Sequence, residues 1–242
     1  MTEQQINHLV LERFGRAQNG FGRWRLNFYA QWKRVSWRLL IASTYFVKRF
    51  FDIIASTLLL VAVSPVLALV CICIKLEDGG PILFPQVRIG RLGRPFTMYK
   101  FRSMCLGAEN QLGGLLHQNQ HREGVTFKLK NDPRITRVGR WLRKFSLDEF
   151  PQLINVLKGE MSLVGPRPPL PREVALYSMA DRRRLMATPG LTCFWQIGGR
   201  SEIDFPEQVQ LDVQYIESQS FWVDIKILLK TVPAVLTGKG AC

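Results

Sequence analysis

The sequence lacks several motifs that would assign it to a common enzyme class. It has no glycine-rich Walker loop for nucleotide phosphates, and no Asp-x-Asp pair of the kind that divalent-metal glycosyltransferases often use. Its five cysteines form no Cys-x-x-Cys pair and no regular disulfide framework, which indicates free thiols in a reducing compartment. Residues 1–20 contain no apolar core segment, so no signal peptide is expected there.

Acidic residues are also few. The chain of 242 residues has 19 Asp and Glu against 33 Lys and Arg, which gives a formal net charge of +14 at pH 7. Half of this excess lies in residues 1–50, which carry nine basic and two acidic side chains. Such a charge predicts partners rich in phosphate, whether nucleic acid, anionic lipid or nucleotide. The length is sufficient for one domain of ordinary size and an appendage.

Charged residues are missing altogether from residues 53–74, an apolar run that would be about 33 Å long as a helix. Ser64 and Pro65 lie in its middle, where a proline bends or breaks a helix. Basic residues flank both ends, and such flanks prefer the cytoplasmic side of a membrane. We therefore predict a re-entrant membrane helix over residues 46–75, broken at Ser64-Pro65. A spanning helix and a buried helix of a soluble protein are the alternatives.

The remaining residues lie on either side of this segment. Residues 1–45 mix aromatic and basic side chains, which predicts an extension at the surface of an anionic membrane; a disordered basic tail is the alternative for residues 1–20. Residues 76–242 are predicted to form a compact cytoplasmic domain, so that the whole is a membrane-associated α/β fold, mostly helical. A small β-hairpin is predicted from strands over 82–89 and 96–102. Residues 105–125 are predicted to be a loop or a loose helix, and helices are predicted over 138–145, 151–157, 173–186, 205–218 and 221–236.

Two adjacent carboxylates, Asp148 and Glu149, lie where a helix is predicted to begin. One interpretation is structural, because Ser146 and Glu149 have the spacing of a capping box. The other is chemical, because the positive end of a helix lowers carboxylate pKa values and attracts phosphate. An ionised Asp beside a metal-binding Glu is suited to attack a phosphate that cations hold in place. The helix begins either at Ser146, with a kink, or at Pro151.

Basic side chains surround this pair in the sequence. Arg140, Arg143 and Lys144 share one helical face just before it, although a solvated basic face is the alternative for each. Arg167 differs from them, because the prolines on both sides stiffen its backbone and preorganise its guanidinium for a phosphate. Asp212 would support either a metal ion or an arginine. Other basic residues of this region are Lys128, Lys130, Arg134 and Arg137.

A series of short motifs follows one another along the chain. They are Lys-Arg at 48–49 before an apolar run with Ser-Pro, Phe-x-x-x-Lys-Phe-Arg-Ser-Met at 96–104, Asp-Pro-Arg-Ile-Thr at 132–136, Ser-Leu-Asp-Glu-Phe-Pro-Gln-Leu at 146–153, Gly-Pro-Arg-Pro at 165–168, Pro-Gly-Leu-Thr at 189–192 and Trp-Gln at 195–196. This order resembles the bacterial sugar transferase family, the monotopic polyprenyl-phosphate sugar-1-phosphate transferases. The resemblance covers about residues 46–240 and implies a catalytic core with a short extension.

The resemblance also implies a mechanism. The Asp that matches Asp148 attacks the sugar-proximal phosphate of a nucleotide sugar, here a UDP-hexose such as UDP-glucose or UDP-galactose. The phosphate of undecaprenyl phosphate then attacks the covalent phosphosugar-aspartate. Asp148 and Glu149 are thus the expected catalytic pair, and Glu149 matches the Mg²⁺ ligand. The expected substrate-binding residues are Lys100, Arg102, Arg140, Arg143, Arg167 and Asp212.

The chain departs from the family pattern at two positions. Phe145 stands where the family often has Thr, and Phe150 where it usually has Leu; both substitutions would reshape a lipid or sugar pocket. Two hypotheses come from other classes, a catalytically silent scaffold of a polysaccharide assembly complex and a membrane-tethered nucleic-acid-binding protein. The intact Asp148, Glu149 and Arg167 argue against the first, and we expect no nucleic-acid partner. A homo-oligomer stays open.

Overall fold

A computed structural model describes residues 20–115, 131–199 and 203–237, together with His8, Glu12, Gly15, His117, Phe127 and Leu129. Most of residues 1–19 and the predicted phosphate-binding candidates Lys128 and Lys130 lie outside the described residues. The chain forms two units, Met1–Lys48 and Arg49–Cys242. Helix α1 (Gly20–Asp78) begins in the first unit and ends in the second.

In the first unit, residues 20–48 carry six basic side chains and no acidic one. Exposed aromatic rings recur every three or four residues at Phe21, Trp24, Phe28 and Trp32, which places them on one face of the helix. The ring centroids of Phe21 and Trp24 are 6.0 Å apart, and those of Trp24 and Phe28 are 5.7 Å apart. An aromatic face on a basic helix is typical of segments that lie on anionic membranes, and this contact stays a prediction.

The second part of α1 has the composition of a membrane helix. Its segment Tyr45–Asp78 is long and apolar enough to cross a membrane, with a mean hydropathy of 2.8 in its most apolar window. Large side chains such as Leu58, Val61 and Leu76 are exposed along this segment. A continuous apolar surface of this kind is unfavourable in water and is consistent with association with a membrane, which stays a prediction.

Helix α1 runs through Ser64 and Pro65 without interruption. Pro65 has no backbone N–H to donate to the carbonyl of Val61, four residues earlier. The hydroxyl of Ser64 donates to that carbonyl instead, at 2.8 Å. A side-chain donor thus replaces the missing N–H, and the predicted break of a membrane helix at Ser64-Pro65 stays a prediction. The re-entrant topology stays a prediction.

The predicted hairpin is confirmed. Strands β1 (Leu83–Ile89) and β2 (Pro95–Phe101) pair antiparallel in full register. A 3₁₀ turn (Arg91–Gly93) joins them, and the N–H of Gly90 donates to the carbonyl of Arg94 at 2.7 Å to close it. The side chains of successive strand residues point to alternate faces of the hairpin. This alternation determines which basic side chains of the hairpin face the candidate site described below.

A second sheet was not predicted. It pairs β3 (Ser162–Val164) with β4 (Gly190–Thr192) in parallel. Strands of three residues are too short for an alternation of apolar and polar residues to reveal them. Their pairing brings two motifs that are far apart in the sequence onto neighbouring backbones.

The helices of the second unit are mostly where they were predicted. After α1 they are α2 (Ala108–Leu115), α3 (Arg137–Lys144), α4 (Gln152–Lys158), α5 (Pro171–Ala175), α6 (Phe194–Gly198), α7 (Phe205–Ser218) and α8 (Phe221–Thr237). The predicted bounds of α7 are confirmed, and the ends of α3, α4 and α8 lie within one residue of those predicted. Helix α6 was not predicted.

The single helix predicted over 173–186 is wrong. Helix α5 ends at Ala175, and a separate 3₁₀ helix covers Asp181–Met186. The Asp181 carboxylate accepts hydrogen bonds from the Ser178 N–H at 2.8 Å and from its hydroxyl at 2.7 Å. Such local bonds from side chain to backbone compete with helical ones, so the helix stops before them.

The hydrophobic core of the second unit forms where the strands meet α4, α7 and α8. Its buried residues are Met98, Leu153, Val156, Met161, Leu163, Val164, Tyr215 and Ile227. Phe51, Ala55 and Leu60 of α1 pack against this cluster. The C-terminal part of α1 therefore belongs to the same core as the elements that carry the candidate site.

Candidate active site

The two carboxylates lie on a short 3₁₀ turn, Leu147–Glu149, between α3 and α4. Ser146 before it has φ 54° and ψ 23°, a left-handed conformation that is unusual for a serine. Its side chain makes no capping hydrogen bond, so the capping-box interpretation is wrong. Helix α4 starts after Pro151, near one of the two predicted positions. The strained turn thus presents Asp148 and Glu149 side by side just before a helix.

Asp148 is a buried carboxyl group without an ion pair. It is 8 % exposed, and no side chain of the described residues forms a salt bridge or hydrogen bond with it. Burial raises its pKa above the ordinary value, and the charge of Glu149 adds to the rise. Lys100 and Arg143 oppose it. The charge of Asp148 is therefore sensitive to what enters the site.

The pKa of Glu149 is shifted in the opposite direction to that of Asp148. Burial disfavours its charged form, but Lys100, Arg167 and Arg88 outweigh burial and keep the pKa of Glu149 below its ordinary value. The ammonium of Lys100 on β2 lies 2.8 Å from Oε1 of Glu149. These cations favour the ionised form of Glu149, and an ionised carboxylate suits a group that binds a cation.

Arg88 on β1 is a site residue that was not predicted. It is 5 % exposed, donates to the carbonyl of Pro168 at 2.9 Å, and donates twice to the side chain of Gln86 at 3.0 and 2.7 Å. Burial and the charge of Arg167 lower the pKa of Arg88 to about 9. In the strand, Arg88 shares a face with the partly buried Phe84 and Gln86, whereas the apolar Leu83, Pro85 and Val87 of the other face are exposed. The polarity of the sequence therefore gave no signal for a buried Arg88.

Arg167 lies on a segment that two neighbouring backbones hold. The N–H of Gly190 donates to the carbonyl of Pro166 at 2.9 Å, and the N–H of Ile89 donates to the carbonyl of Pro169 at 2.9 Å. A Cβ added to Gly190 would lie 2.0 Å from the nitrogen of Gly165, so this crossing requires glycine. The motifs Gly-Pro-Arg-Pro and Pro-Gly-Leu-Thr therefore form one rigid support for Arg167.

The guanidinium of Arg167 acts on two groups of charges. Its charge favours the ionised form of Glu149 and also that of Asp212. It is half-buried, and among the described residues it forms no ion pair of its own. A fixed cation whose charge is not neutralised by a partner is suited to bind an anionic ligand such as a phosphate.

Asp212 on α7 is buried completely and forms an ion pair with Arg184, which is 4 % exposed. Arg184 also donates to the hydroxyl of Tyr177 at 3.1 Å and lies over the rings of Tyr177 and Phe205. Burial raises the pKa of Asp212 to about 6, although Arg184 opposes this rise. Of the two partners that the sequence left open, the structure places Asp212 with an arginine. Its contact with substrate stays a prediction.

The other predicted substrate-binding arginines lie in different surroundings. Arg143 is half-buried, acts on the pKa of Asp148 and has one buried guanidinium nitrogen without a hydrogen-bond partner. Arg140 on the same helix is exposed and forms no ion pair with either carboxylate. Arg102 is buried in an ion pair with Asp78 at the end of α1. For these three residues, binding of substrate stays a prediction.

The carboxylates fit a magnesium ion that is shared with a phosphate ligand. Within residues 20–115, 131–199 and 203–237, no group of three or more His, Cys, Asp or Glu side chains is placed to hold a metal. Mg²⁺ at phosphate-binding sites commonly takes one or two carboxylates and completes its shell with water and phosphate oxygens. Glu149, which is adjacent to Asp148, would supply a ligand of this kind. One oxygen of Glu149, Oε1, already forms an ion pair with Lys100.

Comparison with known proteins places this site in a family. The chain belongs to the bacterial sugar transferases, whose family model matches residues 43–238. The galactosyl transferase CpsE of Streptococcus agalactiae serotype III is 50 % identical over 195 residues, which are 80 % of this chain and 43 % of the relative. The undecaprenyl-phosphate galactose phosphotransferase of Salmonella typhimurium is 44 % identical over 211 residues, which are 86 % of this chain and 44 % of the relative.

A shorter relative matches over most of its length. The exopolysaccharide production protein ExoY of Rhizobium meliloti is 41 % identical over 197 residues, which are 80 % of this chain and 87 % of the relative. The chain thus spans less than half the length of the first two relatives and most of the third. The motif that contains Asp148 and Glu149 lies well inside the matched residues.

Proposed function

We propose that the protein transfers a hexose-1-phosphate from a UDP-hexose to undecaprenyl phosphate, as the first membrane step of polysaccharide or glycoconjugate assembly. Two relatives, an undecaprenyl-phosphate galactose phosphotransferase and an exopolysaccharide production protein, support the reaction class by their names. The observation that carries the proposal is Asp148, a buried carboxyl group that forms no ion pair with the residues described and lies beside Glu149 and several cations.

In the first step a carboxylate oxygen of Asp148 attacks the sugar-proximal phosphorus of the UDP-hexose. The phosphoanhydride bond to the second phosphate breaks, and UMP leaves with the electron pair of that bond. An acyl phosphate now joins Asp148 to the sugar-1-phosphate. Asp148 attacks only when ionised, since the protonated carboxyl group is a poor nucleophile. The approach of a dianionic substrate is favourable because Lys100, Arg143 and Arg167 supply positive charge.

In the second step an oxygen of the undecaprenyl phosphate attacks the same phosphorus. The bond to Asp148 breaks, the carboxylate is regenerated, and an undecaprenyl diphosphate sugar is formed. UMP has left before the lipid phosphate attacks, so the kinetics are ping-pong. The same cations that receive the diphosphate are available to the lipid phosphate.

Glu149 would hold Mg²⁺ in this scheme. When bound, the ion supplies screening of the charge on the diphosphate and on the departing UMP. Three cations of the site favour the ionised form of Glu149 that this role needs. Lys100, Arg167 and Arg88 lower its pKa against the effect of burial. Lys100 also orients the Glu149 carboxylate through the contact to Oε1.

The proposed location is the cytoplasmic face of the bacterial inner membrane. The apolar segment Tyr45–Asp78 and the basic flanks of the run support it. Phe51 and Ala55 of that segment pack on the core of the catalytic domain, so a domain held at the membrane surface would meet a lipid phosphate there. The basic, aromatic residues 20–48 would add contacts to anionic headgroups.

The test is release of UMP by the purified membrane-bound protein. A panel of UDP-sugars is supplied with undecaprenyl phosphate and Mg²⁺, and wild type is compared with Asp148→Asn. Glu207→Gln is the matched control, because Glu207 is an exposed carboxylate on α7. Release with one sugar that is lost in Asp148→Asn and with EDTA, but kept in Glu207→Gln, is the expected result.

Two other outcomes would contradict the proposal. Release that survives in Asp148→Asn would exclude Asp148 as the nucleophile. A wild-type protein that releases UMP from no member of the panel would exclude a UDP-hexose donor and favour the alternative hypothesis of a catalytically silent scaffold.

A further inference from the structure

A stripe of polar residues on α1 is not used by the proposed reaction. Arg49, Asp52 and Ser56 are three and four residues apart, which places them on one face of the helix. Asp52 and Ser56 are buried although they lie in the apolar segment of α1. Polar residues in such segments are costly and usually mark contact with protein rather than lipid. This stripe contacts the two chain segments that carry the candidate catalytic residues.

Arg49 contacts the end of α4. Its guanidinium donates to the carbonyls of Val156 and Leu157, the second at 2.7 Å. These carbonyls lie in the last turn of the helix, where a cation is favourable. The carbonyl of Val156 also accepts a hydrogen bond from the N–H of Gly159 at 3.0 Å. The first turn of α4 follows directly on Asp148 and Glu149. Arg49 therefore fixes α4 at the end opposite to the catalytic turn.

Asp52 contacts strand β3. Its Oδ1 accepts a hydrogen bond from the N–H of Leu163 at 3.1 Å. Ser162 and Val164 are the residues of β3 that pair with β4, so the N–H of Leu163 is directed away from that sheet. Asp52 supplies the acceptor on this outer side. The strand continues within three residues to Arg167, whose position depends on where β3 lies.

We propose that Arg49 and Asp52 are positioning residues, which hold the Asp148–Glu149 turn and Arg167 at the separation that the reaction needs. They act through α4 and β3 and touch no substrate. The docked membrane helix is thereby part of the catalytic scaffold as well as an anchor. This inference rests on the proposed function.

The test compares Asp52→Ala with Asp52→Asn in the full-length protein in lipid nanodiscs. The amide oxygen of Asn accepts the same hydrogen bond, so it should rescue what Ala loses. Thr57→Ala is the matched control, because the Thr57 hydroxyl is exposed and bonds only to the carbonyl of Ile53 in its own helix. We expect Asp52→Ala to lower kcat for UMP release about tenfold, with KM for the UDP-sugar changed less than about twofold. Asp52→Asn and Thr57→Ala should keep the wild-type kcat.

Amide hydrogen exchange supplies a second readout that needs no activity. Asp52→Ala should accelerate exchange over residues 162–167, and Asp52→Asn should restore it. Should Asp52→Ala not fold, Arg49→Lys tests the same proposal, because one ammonium replaces two guanidinium donors and should loosen residues 156–160.

Three results are decisive. An unchanged kcat per folded molecule in Asp52→Ala would overturn the proposal, whatever the yield of folded protein. A loss of kcat that Asp52→Asn does not repair would overturn the role of the hydrogen bond. A wild type that releases no UMP would instead refute the proposed function, while the exchange measurement would still decide whether Asp52 holds β3.

Discussion

Two carboxyl groups of this protein, Asp148 and Asp212, are both buried but lie in different electrostatic surroundings. Asp212 is locked in an ion pair with Arg184, whose guanidinium is further bound by the Tyr177 hydroxyl. Asp148 has no ion pair with any described residue, although Lys100 and Arg143 lie close enough to lower its pKa. Burial raises the pKa of both groups. The difference between them is the ion pair, which Asp212 forms with Arg184 and which Asp148 forms with no described residue.

The contrast separates a structural network from a reactive one. A buried ion pair such as Asp212–Arg184 is stable only as long as both partners are present. A buried carboxylate among cations that it does not neutralise is a poor stabilising element and a good nucleophile. Arg167 links the two regions, because its charge acts on Glu149 and on Asp212.

The largest expected effects come from neutralising each carboxylate in turn. Asp148→Asn should reduce UMP release by about 10³-fold or more, since the nucleophile is lost, while stability changes little because no ion pair is broken. Asp212→Asn should instead lower stability more than UMP release. It leaves the buried charge of Arg184 without its partner, which costs about 3 kcal/mol or more of stability. Thermal unfolding and UMP release per folded molecule measure the two effects. Equal losses of stability in both variants would refute the contrast.

The next largest effect is expected at Arg167, whose charge acts on both Glu149 and Asp212. Arg167→Lys keeps the charge but loses the planar fork, and we expect kcat/KM for the UDP-sugar to fall about 10²-fold. Arg182→Lys is the matched control, because Arg182 is exposed and forms no ion pair with any described residue. It should stay within about twofold of wild type. A loss in Arg182→Lys as large as in Arg167→Lys would show that the effect is not specific to the guanidinium of Arg167.

A pH profile tests the state of Asp148. Because its pKa is raised, the ionised nucleophile is lost on acidification at a higher pH than for an ordinary aspartate, and the rate of UMP release should fall there. Lys100→Met removes a charge that lowers this pKa, so the acid limb should move to still higher pH, with a loss of about tenfold in rate near neutrality. Kinetics at saturating substrate check this. An acid limb that Lys100→Met moves to lower pH would be inconsistent with the assigned roles.

The reactive region was more predictable from the sequence than the structural one. Asp148, Glu149 and Arg167 lie in short motifs whose chemistry is local, and the prolines around Arg167 are visible in the sequence. The pairing of Asp212 with Arg184 depends on contact between α7 and a 3₁₀ helix that was predicted as part of a longer helix. No periodicity reveals which buried arginine meets which carboxylate.

The elements of the fold also differ in how far the sequence predicts them. The hairpin and α7 were predictable because their patterns extend over seven and fourteen residues. The sheet of β3 and β4 and the end of α5 were not, since three-residue strands and the bonds between Ser178 and Asp181 depend on single contacts. At Pro65 the helix is continuous, and the Ser64 hydroxyl donates to the carbonyl of Val61, which Pro65 cannot reach with an N–H.

The smallest expected effect sharpens the view that the Asp212 region is structural. Tyr177→Phe removes the hydroxyl that accepts from Arg184 and keeps the ring beneath the guanidinium. We expect a loss of about 1 kcal/mol in stability, the value of one ordinary hydrogen bond, and UMP release within about twofold of wild type. Thermal unfolding and the UMP assay on the same preparation are the measurements. A variant of unchanged stability that lost most of its activity would instead make Tyr177 and Arg184 part of the reactive region, because a structural network cannot fail in that way.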